Sequence, residues 1–213
     1  MWHRLEPPQR ERERAVPLSR RSPQMLLGFA GLAWSGGHER IAAALLVGWD
    51  CMLRTGEILQ RRMEHIALVR GRAVLHLHST ESSKRTCQKK MVVVESSMAN
   101  CALAHVVRRS PRRDLLLPRG AAHFRRVFHA LCVVFGITFH VTPYSLRRGG
   151  ATYSFLLRGS TEKCMLRGRW ASSSSARIYL ADAVATVHFL QLCSRQLHLA
   201  SAAADSLRHL LGQ

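Results

Sequence analysis

Apolar residues recur at helical spacing along most of the chain. The segment from 22 to 37, SPQMLLGFAGLAWSGG, predicts a short helix that ends at its paired glycines. The segment from 38 to 62 continues the same period and predicts a longer helical stretch, broken near Thr55–Gly56. Further helical periods follow in SMANCALAHVVRR, RGAAHFRRVFHALCVVFG, TPYSLRRGGATYSFLLRG, TEKCMLRGRW, SSSSARIYLADAVATVHFL and the alanine- and leucine-rich C-terminal segment.

A second pattern separates these helical segments. HIALVRG, AVLHLHS and KMVVVES are rich in β-branched residues or alternate between apolar and polar positions, as short strands do. The first two are separated by RGR and the last two by the polar loop TESSKRTCQK. The predicted fold class is therefore mainly α (α+β), a helical bundle with a small three-stranded antiparallel sheet between its halves.

The beginning of the chain differs from the rest. Residues 1–22 mix proline, arginine and glutamate without an apolar period, which predicts a disordered basic tail. Residues 23–213 are predicted to form one domain with a buried core. The tail lacks the apolar stretch of a secretory signal, and no apolar run reaches the roughly 18 residues of a membrane span. We therefore expect neither secretion nor a membrane partner, and the nucleus, a bacterial cytoplasm and an organelle all fit.

The charge balance narrows the class of partner. The formal net charge is +19, from 32 Lys+Arg against 13 Asp+Glu. Such an excess does not specify a fold, but it predicts a polyanionic partner, and nucleic acid is the first candidate. A basic surface-binding protein of ribosomal type is the alternative.

Cysteine and histidine usage gives no sign of a metal site. The six cysteines are scattered without a CxxC pair, and several lie on apolar helical faces where a thiol behaves as a small hydrophobe. This predicts a reducing compartment, with neither a disulfide framework nor zinc. His76 and His78 share one face of a predicted strand, but no carboxylate or cysteine near them completes a ligand set. An exposed strand face is the preferred interpretation, and no metal is predicted.

The stretch TPYSLRRGGATYSF carries the first functional signal. Thr142–Pro143 predicts a helix start with a capping hydroxyl, which places Arg147 and Arg148 in the first turn. A guanidinium can donate two parallel hydrogen bonds to a phosphate, and a helix start favours anions. Gly149 and Gly150 lower helix stability by roughly 1 kcal/mol each, which indicates close approach of a DNA backbone or a neighbouring helix. The alternative is a solvated basic turn.

Three other stretches point to the same chemistry. In CMLRTGEIL, Arg54 stands at the end of an apolar helical segment and needs an anionic partner, for which Glu57 is itself a candidate. STESSKRTCQKK is a basic loop between two predicted strands. In RGRWASSSSARIYLADA, Tyr179 follows Trp170 by nine residues.

In this order, the stretches resemble the catalytic domain of the tyrosine recombinase (phage integrase) family. That family has an arginine in an R-T-G-E box, a basic β-hairpin, an H-x-L-R-R/H box, a His/Trp position and a tyrosine nine residues beyond. Here the boxes read Arg54, the Lys84 hairpin, YSLRR from 144 to 148, Trp170 and Tyr179. The match runs from about Pro23 to Val187 with order and spacing kept.

The resemblance implies a DNA breaking and rejoining enzyme that acts in recombination or integration. Tyr179 would attack a DNA phosphodiester, form a 3′-phosphotyrosyl bond and release a 5′-hydroxyl, without a metal, a cofactor or a small-molecule substrate. Arg54 and Arg147 would stabilise the extra negative charge of the transition state. Trp170 would donate its indole N–H to a phosphate oxygen.

The resemblance also implies partners. They are double-stranded DNA and a homo-oligomer assembled on it, with Arg85, Arg148 and Arg169 predicted as further DNA contacts. The resemblance covers the catalytic domain alone. A separate N-terminal core-binding domain, usual in the family, is not expected within the 22-residue tail.

Two positions depart from the family pattern. Tyr144 stands at the usual histidine, and tyrosine is a poorer proton shuttle near neutral pH. Glu81 stands at the usual general-acid lysine, and a carboxylate there repels phosphate. Lys84, three residues later, is the candidate replacement, although a solvated lysine or a non-specific phosphate contact is an equal interpretation.

These departures leave three hypotheses. The first is an active recombinase, and the second is a catalytically inactive DNA-binding remnant. The third is a basic interaction protein, for example for RNA, whose box spacings are accidental. The third predicts that Arg54, Arg147, Trp170 and Tyr179 do not cluster in space.

Overall fold

A computed structural model describes residues 22–77, 90–137, 141–170, 172, 174 and 193–213. The predicted fold class is confirmed, because this part of the chain is mainly helical with a small three-stranded antiparallel sheet. The helices are α1 (Ser22–Ser35), α2 (Glu39–Asp50), α3 (Thr55–Leu59), α4 (Ser97–Arg108), α5 (Gly120–Val134), α6 (Tyr144–Arg158), α7 (Thr161–Gly168) and α8 (Ser194–Leu210). The strands are β1 (Ile66–Val69), β2 (Arg72–Leu77) and β3 (Lys90–Val93), preceded by a 3₁₀ turn at Met63–His65.

The sheet follows the predicted order and pairing. β2 lies in the centre, and its Leu75 pairs with Ile66 of β1 and Val92 of β3. All three side chains are buried on the inner face. The buried amide of Asn100 in α4 joins the sheet to this helix, since its Oδ1 accepts the Ala73 N–H at 2.6 Å and its Nδ2 donates to the Val94 carbonyl at 3.1 Å.

The break after the second helix lies earlier than predicted. α2 ends at Asp50, and Thr55–Gly56 begins the next helix rather than ending one. Buried Met52 adopts a left-handed backbone conformation (φ 48°), which a continuing helix cannot accommodate. Arg54 therefore stands at the cap position before α3, and not at the end of a buried helix as the sequence indicated.

α2 is the centre of the core, and it explains the paired glycines of α6. A Cβ on Gly149 would lie 2.2 Å from the Trp49 ring, and one on Gly150 would lie 2.2 Å from the Trp49 carbonyl oxygen. The partner that approaches closely is thus a neighbouring helix, one of the two alternatives that the sequence left open. The predicted cap is wrong in detail, because α6 begins at Tyr144 with no side-chain cap, and Ser145 Oγ accepts the Thr142 N–H at 3.2 Å.

The C-terminal helix packs on its own chain. Ala200, Ala204 and Leu207 of α8 are buried, and α8 crosses α1 where α1 carries glycines. A Cβ on Gly31 would lie only 1.9 Å from the carbonyl oxygen of Ala203. The alanine- and leucine-rich C-terminal segment therefore covers its own domain.

The described part of the chain has two further features. Within the described ranges, no helix is long and apolar enough to cross a membrane. The described cysteines are free thiols. Cys51, Cys132 and Cys164 are buried, Cys101 is half-buried and Cys193 is exposed.

We expect Gly31→Ala to destabilise the protein by about 1–3 kcal/mol, because backbone atoms of α8 occupy the space that the new methyl needs. The same substitution at Gly56, where a Cβ meets nothing within 4 Å, is the control and should be neutral or slightly stabilising. Urea denaturation measures both. A Gly31→Ala protein as stable as the Gly56→Ala protein would contradict the described contact between α1 and α8.

Candidate anion site between the helix ends

Three chain segments meet where α2 ends, α6 begins and α7 ends. Arg147, in the first turn of α6, is 1% exposed. Its guanidinium donates to the Met52 carbonyl from Nη1 and to the Gly168 carbonyl from Nη2 at 2.7 Å. The ring of Trp170 lies under the same guanidinium, with Cζ 4.7 Å from the ring centroid. The predicted site residues Arg147 and Trp170 are therefore in direct contact.

Trp170 is held by small and apolar neighbours. A Cβ on Gly168 would fall 2.0 Å from its ring, so glycine at that position is required for the ring to fold back over the end of α7. The indole packs against a small buried cluster of Met52, Ala151 and Cys164. This packing fixes the face of the ring that meets Arg147.

Arg54 reaches the same place from α3. Its side chain is 46% exposed, and Nη1 donates to Glu57 Oε1 at 3.1 Å. The other carboxylate oxygen, Oε2, accepts the Arg54 backbone N–H at 2.7 Å. Glu57 is 6% exposed and is thus the anionic partner that the sequence suggested. Because Arg54 keeps nearly half of its side chain accessible, it can meet a ligand from solvent.

Arg169 points into the protein. Its side chain is 9% exposed, and its guanidinium donates to the Cys51 carbonyl at 3.0 Å and to Glu57 Oε2 at 2.9 Å. Arg148 is also buried, at 6% exposure. The geometry gives both arginines an internal environment.

A further buried arginine lies beneath the site. Arg61 is 3% exposed, and it donates to the His76 carbonyl at the end of β2 and to the Glu57 carbonyl at 3.3 Å. It therefore ties α3 to β2. Nothing in the sequence around ILQRRM distinguishes Arg61 from a surface arginine.

The electrostatics of the site are dominated by excess positive charge. Burial alone would raise the pKa of Glu57, but the charge of Arg169, the Arg54 N–H and the charge of Arg54 outweigh it and hold the pKa below its ordinary value. Burial, followed by the charges of Arg54 and Arg169, lowers the pKa of Arg147 to about 10. Arg147 therefore stays protonated at neutral pH. One carboxylate faces Arg54, Arg61, Arg147 and Arg169, so the site attracts an anion.

The remaining predicted residues fall into two groups. Tyr144 is the first residue of α6 and is 37% exposed. It lies near enough to Arg147 to act to raise the pKa of Arg147, against the larger effect of burial. Lys84, Arg85, Tyr179 and Glu81 lie outside the described residues. His78 also lies outside them, whereas His76, on the strand face that was expected to be exposed, is half-buried. Of the predicted tail 1–22 only Ser22 is described, and it is the first residue of α1.

We expect Glu57→Gln to destabilise the protein by about 2–4 kcal/mol, because the amide cannot accept all the hydrogen bonds from Arg54 and Arg169 and leaves buried cations uncompensated. Chemical denaturation at neutral pH measures the loss. Glu162→Gln, on the exposed first turn of α7, is the control and should cost less than about 1 kcal/mol.

The same variant has a pH signature. Because folding lowers the pKa of Glu57, its stabilisation is fully present above the ordinary carboxyl pKa and is lost as pH falls through the lower folded value. The stability difference between wild type and Glu57→Gln should therefore be constant near neutrality and shrink on acidification. A difference that grows as pH falls would contradict this electrostatic role.

No protein-family model matches the chain, and no curated protein matches its sequence. Among solved structures, XerA recombinase is similar with a TM-score of 0.61 and 20% identity, over 91% of this chain and 64% of that chain. The XerH site-specific recombinase bound to difH substrate, a pre-cleavage complex, gives 0.60 and 14%, over 82% of this chain and 53% of that one.

A third structure agrees with these two. The XerH post-cleavage complex with palindromic difH gives a TM-score of 0.61 and 14% identity, over 82% of this chain and 52% of that chain. The chain thus spans between half and two thirds of the length of these recombinases. At such identities the likeness concerns the fold, and it agrees with the resemblance that the sequence boxes indicated. The chain has the fold of a tyrosine recombinase catalytic domain.

Proposed function

We propose that this chain is the catalytic part of a DNA strand-exchange protein of the tyrosine recombinase type. The observation that carries the proposal is the convergence of Arg54, Arg147 and Trp170, from separate elements, on one positively charged site. The alternative of accidental spacing predicted that Arg54, Arg147, Trp170 and Tyr179 would not cluster, and the convergence of the first three argues against it. A phosphodiester is an anion whose non-bridging oxygens can accept hydrogen bonds from a guanidinium fork and from an indole N–H.

In the proposed reaction the Tyr179 phenol gives up its proton to solvent water, and its oxygen attacks the phosphorus of a DNA phosphodiester. The bond from phosphorus to the 5′-oxygen breaks, the 5′-oxygen takes up a proton, and the 3′-phosphate stays joined to the tyrosine. Attack by another 5′-hydroxyl reverses these steps and expels the tyrosine. Arg54 and Arg147 stabilise the charge that accumulates on the non-bridging oxygens, since preorganised donors need no reorganisation as charge develops.

The remaining candidates supply a proton to the leaving group and a hydrogen bond to the phosphate. Lys84 protonates the leaving 5′-oxygen in place of the lysine that the family has where Glu81 stands, and Tyr144 donates a hydrogen bond to the phosphate. No metal or cofactor enters these steps. The proposal that Arg85 contacts the DNA backbone beside Lys84 rests on its place in the same basic loop.

A broad basic surface supports binding to duplex DNA. The stretch from the end of α4 through α5 carries many exposed arginines, whereas its acidic residue Asp114 is paired with Arg40 at 2.9 Å. Phosphate contacts of this kind position a protein on a duplex without reading its base sequence. The exposed arginines are Arg108, Arg109, Arg112, Arg113, Arg119, Arg125 and Arg126.

A second candidate function is an inactive DNA-binding remnant. Glu81 at the usual lysine position favours it, and so does the burial of Arg147, whose Nη atoms are bonded to the carbonyls of Met52 and Gly168. A guanidinium has more N–H donors than those two carbonyls use, so the bonds orient Arg147 without using all its donors. Both candidates bind duplex DNA, and they differ in whether a covalent adduct forms.

We expect wild type to form a covalent adduct with nicked duplexes pooled over random sequences, seen as protein retained on DNA in a denaturing gel. Tyr179→Phe should abolish the adduct while keeping duplex affinity within about threefold, because the change removes the nucleophilic oxygen and keeps the rest of the side chain. Salt-sensitive binding by wild type without any adduct would favour the inactive remnant. An adduct that persists in Tyr179→Phe would refute the assigned nucleophile.

We expect the double variant Arg125→Gln and Arg126→Gln on α5 to weaken duplex binding and to reduce the slope of log K against log salt by up to about 2, because lost phosphate contacts release fewer counterions. Fluorescence anisotropy across a salt series measures both quantities. Arg195→Gln with Arg208→Gln removes the same charge from α8 and is the control. Equal effects of the two double variants would indicate that net charge alone, and not this surface, attracts DNA.

A further inference from the structure

Arg169 has an unusual backbone for its residue type. It ends α7 in the left-handed region, with φ 57° and ψ 40°, where glycine is usual and a long side chain is uncommon. This conformation turns the side chain back into the protein. A strained residue persists where surrounding contacts hold it in place, and those contacts are numerous here.

The Arg169 guanidinium bridges the turn between α2 and α3. Nη1 donates to the Cys51 carbonyl at 3.0 Å, and Nη2 contacts the Met52 carbonyl at 3.3 Å and Glu57 Oε2 at 2.9 Å. Nη1 also meets the Arg167 carbonyl at 3.2 Å, which closes the end of its own helix. One side chain therefore joins α7 to both sides of the break in which Met52 takes its left-handed conformation.

Two of these acceptors also bind Arg54 and Arg147, which together form the proposed phosphate clamp. Glu57 accepts hydrogen bonds from Arg54 and from Arg169. The Met52 carbonyl accepts hydrogen bonds from Arg147 and from Arg169. Arg169 is thus bonded to the acceptor that orients Arg54 and also to the acceptor that orients Arg147, and it directly precedes Trp170 in the chain.

A planar fork is needed for this arrangement. The contacts of Arg169 spread over two terminal nitrogens that face different acceptors, whereas a lysine ammonium is a point charge on a flexible stem. Lysine would preserve the charge but could not span the Cys51 carbonyl and the Glu57 carboxylate in the same way. A residue that contacted DNA only through its charge would tolerate the same change.

We propose that Arg169 is a positioning residue, which fixes the separation of the Arg54 and Arg147 guanidiniums by holding Glu57 and the Met52 carbonyl, and which does not itself contact DNA. The effect of Arg169 on catalysis rests on the proposed function. The hydrogen bonds from Arg169 to Glu57 and to the Met52 carbonyl, here called the brace, exist in the free protein. A test on free protein therefore separates a failure of the brace from a failure of the recombinase assignment.

The first test is hydrogen–deuterium exchange of the free, full-length protein. In Arg169→Lys and Arg169→Gln, exchange in peptides covering 51–57 should rise by about tenfold or more, while peptides from α4 exchange as in wild type, since only the local opening changes. Arg208→Gln, exposed on α8, is the control and should change neither region. Unchanged exchange at 51–57 in Arg169→Lys would overturn the proposal.

The second test is the rate of adduct formation at saturating nicked duplex. Arg169→Lys should keep the wild-type duplex affinity and salt slope while the cleavage rate falls about 100-fold, because a small misplacement of the clamp costs rate and not binding. Combining Arg169→Gln with Glu57→Gln should slow cleavage by less than the product of the two single effects, since the two side chains share one hydrogen bond. A salt slope lower by about one in Arg169→Gln would reveal a direct phosphate contact and overturn the proposal. If wild type forms no adduct, the recombinase assignment fails and exchange at 51–57 alone decides the brace.

Discussion

The rest of the site depends on the hydrogen bonds and ion pairs that the buried carboxylate of Glu57 makes with the surrounding arginines. The Glu57 carboxylate orients Arg54 by accepting hydrogen bonds from the Arg54 backbone N–H and guanidinium, and it pairs with Arg169. It also lies close enough to Arg147 for the charge of Arg147 to lower the pKa of Glu57. Buried cations are tolerated only where a counter-charge or hydrogen-bond acceptors compensate for lost hydration. Here one carboxylate and several backbone carbonyls compensate for a cluster of guanidiniums. The excess positive charge makes this junction of helix ends suited to an anion.

The surrounding fold serves to bring these groups together. The left-handed Met52 ends α2 and directs its carbonyl toward Arg147, and Gly149 and Gly150 let α6 lie directly against Trp49. Gly168 lets the Trp170 ring fold back over Arg147. Each small or strained residue therefore permits a close approach that positions a larger functional side chain. This is why the paired glycines lie beside the paired arginines in one stretch of sequence.

Most elements were predictable because their apolar periods are long and uninterrupted. The three strands and the helix closed by the glycines at 36 and 37 correspond to patterns visible in the sequence. The contact of Arg147 with Trp170 agrees with what the family resemblance implied. The position of the break after α2 was not, because it depends on a left-handed methionine that carries no sequence signal. The inward course of Arg169 was also hidden, since burial of an arginine depends on acceptors from distant segments, here 51–57. Arg61 was missed for the same reason.

The geometry reconciles two facts about Arg147. Its bonds to two carbonyls and its stacking on Trp170 hold it still, as a preorganised transition-state donor requires, yet the same bonds bury it. Arg54, which is the exposed member of the pair, offers the entrance for a phosphate. The most direct test is an experimental structure of the Tyr179→Phe protein bound to a nicked duplex. The account predicts a backbone phosphate with non-bridging oxygens within hydrogen-bond distance of both Arg54 and Arg147. A duplex lying only along the arginines of α5, with no phosphate near Arg54, would contradict it.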